Sequence, residues 1–143
     1  MEENLNRIFL TGLSEEEGKA YSPLVLAFLG DSVYEMYIRT MLVKRGNSRP
    51  NQLNRLSSAL AKAHAQSLAM DVLLPVLTEK EADIYRRGRN AKSYTMAKNA
   101  TMGDYRRATG FEALIGYLYL TGQNDRMLTL IQMGVEKNEQ QER

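Results

Sequence analysis

The sequence predicts an all-α, single-domain protein, and three observations carry that expectation. Helix punctuation is dense, alternating strand patterns are sparse, and two long segments are apolar on nearly every side. At 143 residues the chain is of one-domain size and long enough to bury a core. No internal repeat and no linker-like stretch divides it.

The first major element is "YSPLVLAFLGDSVYEMYIRTMLVKRG". Ser22 is placed to cap a helix, Pro23 fits its first position, Lys44 and Arg45 suit the last turn, and Gly46 ends it. About 22 residues at helical rise span ~33 Å, the width of a small domain, so this reads as the central helix. "RPNQLNRLSSALAKAHAQSLAMDVLLPVL" reads as one helix or two consecutive ones, interrupted near Pro75. "TEKEADIYRRG" opens on a capping box, Thr78 with Glu81, and stops at Gly88. From residue 88 to about 102 no apolar period is sustained, and the segment reads as a basic, polar loop. "DYRRATGFEALIGYLYLTG" gives a second apolar helix ended at Gly122, and "NDRMLTLIQMGVEKN" an amphipathic one. The expected organisation is an acidic N-terminal segment over 1–21 of open order, a helical domain over 22–137, and a polar, frayed tail over 138–143.

Composition excludes several classes. No run of about 18 apolar residues exists, so no membrane span is expected. "MEENLNRIFL" lacks the basic-then-apolar pattern of an export signal, and a cytoplasmic protein is expected. With no cysteine, disulfides and thiolate zinc sites are excluded. The net charge of +2 conceals an asymmetry. Between Arg86 and Arg107 stand seven basic residues (Arg86, Arg87, Arg89, Lys92, Lys98, Arg106, Arg107) against Asp104 alone, leaving 12 basic and 16 acidic residues elsewhere. Such a concentration attracts polyanions, although a solvated helix end with a charged loop gives the same pattern.

The chemistry-bearing residues are acids in apolar company. Asp31 and Glu35 lie inside "LAFLGDSVYEMY", and Glu112 inside "GFEALIGYLYL". Helices apolar nearly all round belong at the middle of a bundle, where these two would pack on each other. Gly30 and Gly116 would permit close backbone approach, and Asp31 and Glu112 would then converge. Two converging carboxylates repel unless a cation joins them, and an oxygen-only donor set suits Mg²⁺, with Mn²⁺ as an alternative. The other solution is an arginine partner, for which Arg39, Arg106 and Arg107 are candidates. Glu35 is spaced equally well for Asp31 or for Arg39. His64, in an Ala-rich helix, reads as a surface or boundary residue.

"LAFLGDSVYE" resembles the ribonuclease III signature, and "FEALIGYLYL" resembles the second acidic motif of that fold. "RRGRNAKS" and "YRRATGFEALIGYLYL" are similar to the short bacterial form, Mini-ribonuclease III, which lacks a double-stranded RNA-binding domain. The resemblance spans about Leu24 to Leu120 and implies a ribonuclease III-type helical endonuclease domain. It implies Asp31 and Glu112 as the catalytic, metal-binding pair, with Mg²⁺ as cofactor, while Glu35 is placed either to join that site from outside or to pair with an arginine. It further implies hydrolysis of double-stranded RNA to 5′-phosphate and 3′-hydroxyl ends, on stems of precursor large-subunit (23S) ribosomal RNA. A homodimer is implied, with Phe28 anchoring the partner subunit. Arg86, Arg87, Arg89, Lys92 and Lys98 suit phosphate contacts, and Asn90 and Ser93 suit 2′-hydroxyls. Whether a ribosomal protein first shapes the RNA stays open.

Two departures matter. Full-length ribonuclease III has a glutamate one turn before the signature aspartate, where this chain has Ala27. It also has an aspartate three residues before the second glutamate, where Thr109 stands. These losses admit a rival reading, a ribonuclease III-like RNA-binding or ribosome-associated protein that no longer cuts. Retention of both Asp31 and Glu112 weighs against it, and a purely structural helical partner leaves the basic segment unexplained.

Overall fold

The computed structural model describes residues 4–92 and 101–141, and among these the regular elements are all helical. Two short helices come first, α1 (Leu5–Leu10) and α2 (Glu15–Lys19). The long α3 (Pro23–Arg45) follows, bounded by Ser22 and Gly46 as expected, although the Ser22 side chain makes no capping bond. Next come α4 (Pro50–Ala61), α5 (Ala63–Leu73), a 3-10 turn over Leu74–Val76, and α6 (Glu79–Asn90). The chain continues through α7 (Met102–Leu120) and α8 (Asn124–Gln141).

The expected interruption near Pro75 is present, and a second break separates α4 from α5. It falls at Lys62, whose extended backbone (φ −63°, ψ 156°) closes one helix and opens the next. No Gly or Pro marks that position, so packing sets it. Pro75 itself sits in the 3-10 turn that follows α5, where its missing N–H costs little. Thr78 and Glu81 form the expected capping box at the start of α6, which runs two residues beyond Gly88.

The core centres on α7 rather than α3. Helix α7 packs against α3, α6, α5 and α8, and from Ala108 to Leu118 all of it but Glu112 is buried. Helix α3 packs most extensively on α7 but keeps one apolar face exposed, with Phe28 at 81% exposure beside Leu24, Val25 and Met36. Its apolar circumference therefore serves two faces, one inward and one outward.

The stretch around α2 and the C-terminal helix α8 both engage the rest of the domain. Ser14 and Glu17 form a capping box on α2, Leu13 N donates to Leu120 O at 2.8 Å, and Lys80 pairs with Glu15 at 3.0 Å. The expected frayed tail from 138 is instead part of α8 through Gln141. Asn138 is buried, and its amide donates to Ala65 O at 2.9 Å and Gly134 O at 3.1 Å. A polar residue can thus anchor a helix end by directing its amide donors at backbone carbonyls of a neighbouring helix and of its own.

Candidate active site

Helices α3 and α7 cross at two glycines. A Cβ on Gly30 would overlap the Glu112 carbonyl oxygen, and one on Gly116 would overlap the Leu26 carbonyl oxygen. Both must lack side chains for the backbones to touch, which explains two helix-weakening glycines in the middle of long helices. Asp31 follows Gly30 directly, and Glu112 sits one turn before Gly116, so the crossing places the two acids side by side.

Their environments are unequal. Asp31 lies at the exposed rim, while the Glu112 side chain reaches inward and is half-buried as a residue. Burial pushes the Glu112 carboxyl up, and a hydrogen bond and charge repulsion from Asp31 push it further, to about 9. Tyr34, beneath the site, is pushed up by burial and then by the Glu112 charge. Its hydroxyl donates to Leu60 O at 3.0 Å, and its ring meets Phe111 edge-on at 5.0 Å, so the floor is rigid.

No arginine resolves the conflict between the acids. Among the described residues neither has a basic side chain within ion-pairing distance. Arg39 bonds Glu35 at 2.9 Å, and Arg107 bonds Asp71 at 2.6 Å and Ser67 O at 2.8 Å. Of the two partners spaced for Glu35, the structure thus selects Arg39. The site accordingly holds a carboxyl pair that shares a proton unless a cation takes its place.

The donor set fits a small, hard divalent ion. Among the described residues no three His, Asp or Glu side chains gather, so the protein offers two carboxylates and leaves the rest to water. Mg²⁺ is commonly held in that way. Ala27 and Thr109 make no larger site: both are buried, and the Thr109 hydroxyl donates to Tyr105 O at 3.0 Å.

Sequence reasoning missed one member. Gln66, on α5 and 1% exposed, donates through Nε2 to Ala61 O at 2.9 Å and reaches Glu112 Oε2 at 3.5 Å. Its only sequence signal is a polar residue amid "AHAQSLAM", on what becomes the buried face of α5.

The basic segment separates into different roles. Arg86 and Lys92 are exposed, as is Asn90, while Arg89 lies over the Tyr85 ring at 5.7 Å and bonds Asn90 Oδ1 at 3.3 Å. Arg87 turns the other way, donating to Lys19 O at 2.8 Å and Tyr21 O at 3.1 Å, and so ties α6 to the N-terminal segment. Ser93 and Lys98 lie outside the described residues. His64 is at the surface, as expected, but bonds Asp104 at 2.8 Å, and that contact holds the Asp104 carboxyl below its usual range.

The fold and this pair of motifs have relatives. The Ribonuclease III domain model matches residues 24–123, which contain both acids and the whole basic segment. Mini-ribonuclease 3 of Enterococcus faecalis is 48% identical over 121 residues, covering 83% of this chain and 92% of its own length. The chain belongs to the Mini-ribonuclease 3 family. Mini-ribonuclease 3 of Brevibacillus brevis is similar too, 49% identical over 111 residues, covering 78% of this chain and 83% of that protein. Among solved structures, protein FN1578 of Fusobacterium nucleatum superimposes with a TM-score of 0.75 at 32% identity, over 82% of this chain and 93% of that one. No helix among the described residues is long and apolar enough to cross a membrane.

Proposed function

We infer that this Mini-ribonuclease 3 family member is a metal-dependent endoribonuclease that cuts double-stranded RNA. The ribonuclease III domain and the Mini-ribonuclease 3 relatives support the endoribonuclease class. The observation that carries the metal dependence is the Asp31–Glu112 pair, two adjacent carboxyls with no basic partner among the described residues.

Asp31 and Glu112 hold the ion, Mg²⁺ in the first instance and Mn²⁺ as a substitute. When bound there, a divalent cation supplies Lewis-acid chemistry that makes water a nucleophile and offsets charge on the phosphodiester. Loss of the shared proton is the chain's own contribution, since a carboxyl pushed to about 9 must release it before it can act as a ligand. Arg86, Arg89 and Lys92 serve as phosphate contacts, with Asn90 for 2′-hydroxyls, because A-form RNA is read by backbone and shape. Products with 5′-phosphate and 3′-hydroxyl ends follow from attack by water with departure of the 3′ oxygen. The exposed apolar face of α3 around Phe28 supports a homodimer, and a two-site dimer suits cleavage of both strands. The substrate we favour is the stem that joins the ends of precursor 23S ribosomal RNA, met in the cytoplasm.

The test is cleavage of a long RNA duplex in Mg²⁺ by wild type, Asp31→Asn and Glu112→Gln. The inference requires cutting by wild type and its loss in both variants, with an unchanged sedimentation coefficient. Binding without cutting by wild type in both Mg²⁺ and Mn²⁺ would instead establish the RNA-binding reading that Ala27 and Thr109 admit.

A further inference from the structure

We propose that Gln66 is a positioning residue of the metal site, holding Glu112 in the orientation in which it ligates; this rests on the metal reading above. The argument begins with which way the amide faces. Nε2 donates to Ala61 O at 2.9 Å, and a flipped amide would set two carbonyl oxygens against each other there. The Ala61 carbonyl lacks a helical partner because α4 ends at that residue, so the Lys62 break itself creates the acceptor that orients Gln66. With one N–H fixed on Ala61 O, the second is directed at Glu112 Oε2, 3.5 Å away.

The rest of the side chain argues against a merely structural cap. Oε1 is buried and has no hydrogen-bond partner among the described residues. A residue selected only to fill this space and cap α4 would not leave a carbonyl stranded in the core. What compensates is the N–H directed at Glu112, which favours its charged form and restricts its rotation. Among the described residues Glu112 otherwise has only Asp31 beside it, and Asp31 repels it once both are ionised. Partners that orient a ligating carboxylate characteristically change metal affinity by about 10–100-fold when removed.

The test uses Mn²⁺ as the probe, read by calorimetry and by electron paramagnetic resonance of the free ion, on full-length protein. Gln66→Met keeps the volume and removes both N–H donors; its Mn²⁺ affinity is expected to fall at least tenfold while the protein stays folded by circular dichroism. Gln66→Leu removes the same donors with a different side-chain shape, and its Mn²⁺ affinity is expected to fall to a similar extent. Affinity within twofold of wild type in either folded variant overturns the positioning role and leaves Gln66 as a cap on α4. Asp31→Asn and Glu112→Gln serve as reference: if they too bind Mn²⁺ as wild type does, the metal site itself is refuted, and the role of Gln66 with it.

Discussion

Gly30→Ala is the sharpest single test of how fold and site are joined. The added Cβ would overlap the Glu112 carbonyl oxygen and stand 2.7 Å from the Glu112 carbonyl carbon and 2.8 Å from Gly116 N. All are helix backbone atoms, which have no rotamer by which to move aside. Reaching ordinary contact requires α3 and α7 to part by well over an ångström. Overpacking at the severe end costs about 3 kcal/mol, and the helix preference of Ala over Gly returns about 1, leaving about 2 kcal/mol of destabilisation. For a chain of this size that corresponds to a fall in Tm of about 6 °C. The effect on the site should be larger than the effect on the fold, because the same displacement separates Asp31 from Glu112. Differential scanning calorimetry and Mn²⁺ titration below the Tm measure the two separately. A variant as stable as wild type, or stabilised by the helix preference alone, would refute the crossing geometry. Lowered stability with undiminished Mn²⁺ affinity would refute the link between crossing and site.

Other perturbations probe the remaining interactions. In protein stripped of divalent ions, native Glu112 keeps its proton up to about pH 9, whereas the unfolded chain releases it near 4.5. The native state therefore binds more protons between those values, so this pair's contribution to stability is lost as pH rises across that window. Glu112→Gln should flatten that decline in urea titrations taken from pH 5 to 9, and an unchanged profile would show that neither burial nor Asp31 raises the Glu112 carboxyl. Arg126→Met strands Glu81, whose carboxyl burial would raise but which Arg126 and Thr78 together hold low. With the Glu81 side chain 5% exposed, this should cost about 3 kcal/mol by chemical denaturation. Arg89→Ala with Lys92→Ala should weaken duplex RNA binding whatever the duplex sequence. Its salt slope should fall by about one unit for each phosphate no longer neutralised. Arg87→Ala should leave that slope unchanged and instead loosen the N-terminal segment, seen as faster amide exchange around Lys19 to Tyr21.

Sequence reading succeeds where the signal is local and fails where it is not. The Pro23 start and Gly46 stop of α3 and the Thr78–Glu81 capping box are legible because each is set by residues within one turn. The Lys62 break is not, since an ordinary lysine carries no mark of it. Asn138 reads as tail because polarity suggests solvent, and its acceptor lies 73 positions away at Ala65. Arg87 groups with the RNA contacts in sequence because composition reports charge but not direction.

For the site, the sequence by itself determined that two acids occupy apolar helices beside glycines, in an order and spacing that match the ribonuclease III motifs. Those facts depend on residue type and helical period alone. Only the tertiary structure decided that the acids face each other without a basic partner among the described residues, and that Asp31 is at the rim while Glu112 reaches inward. Gln66 emerges only there as well, on a third helix whose orientation depends on a break no local residue encodes. Charge compensation is a property of neighbours in space. Whether a carboxylate needs a metal ion or already has an arginine is decided by packing, after the helices have formed.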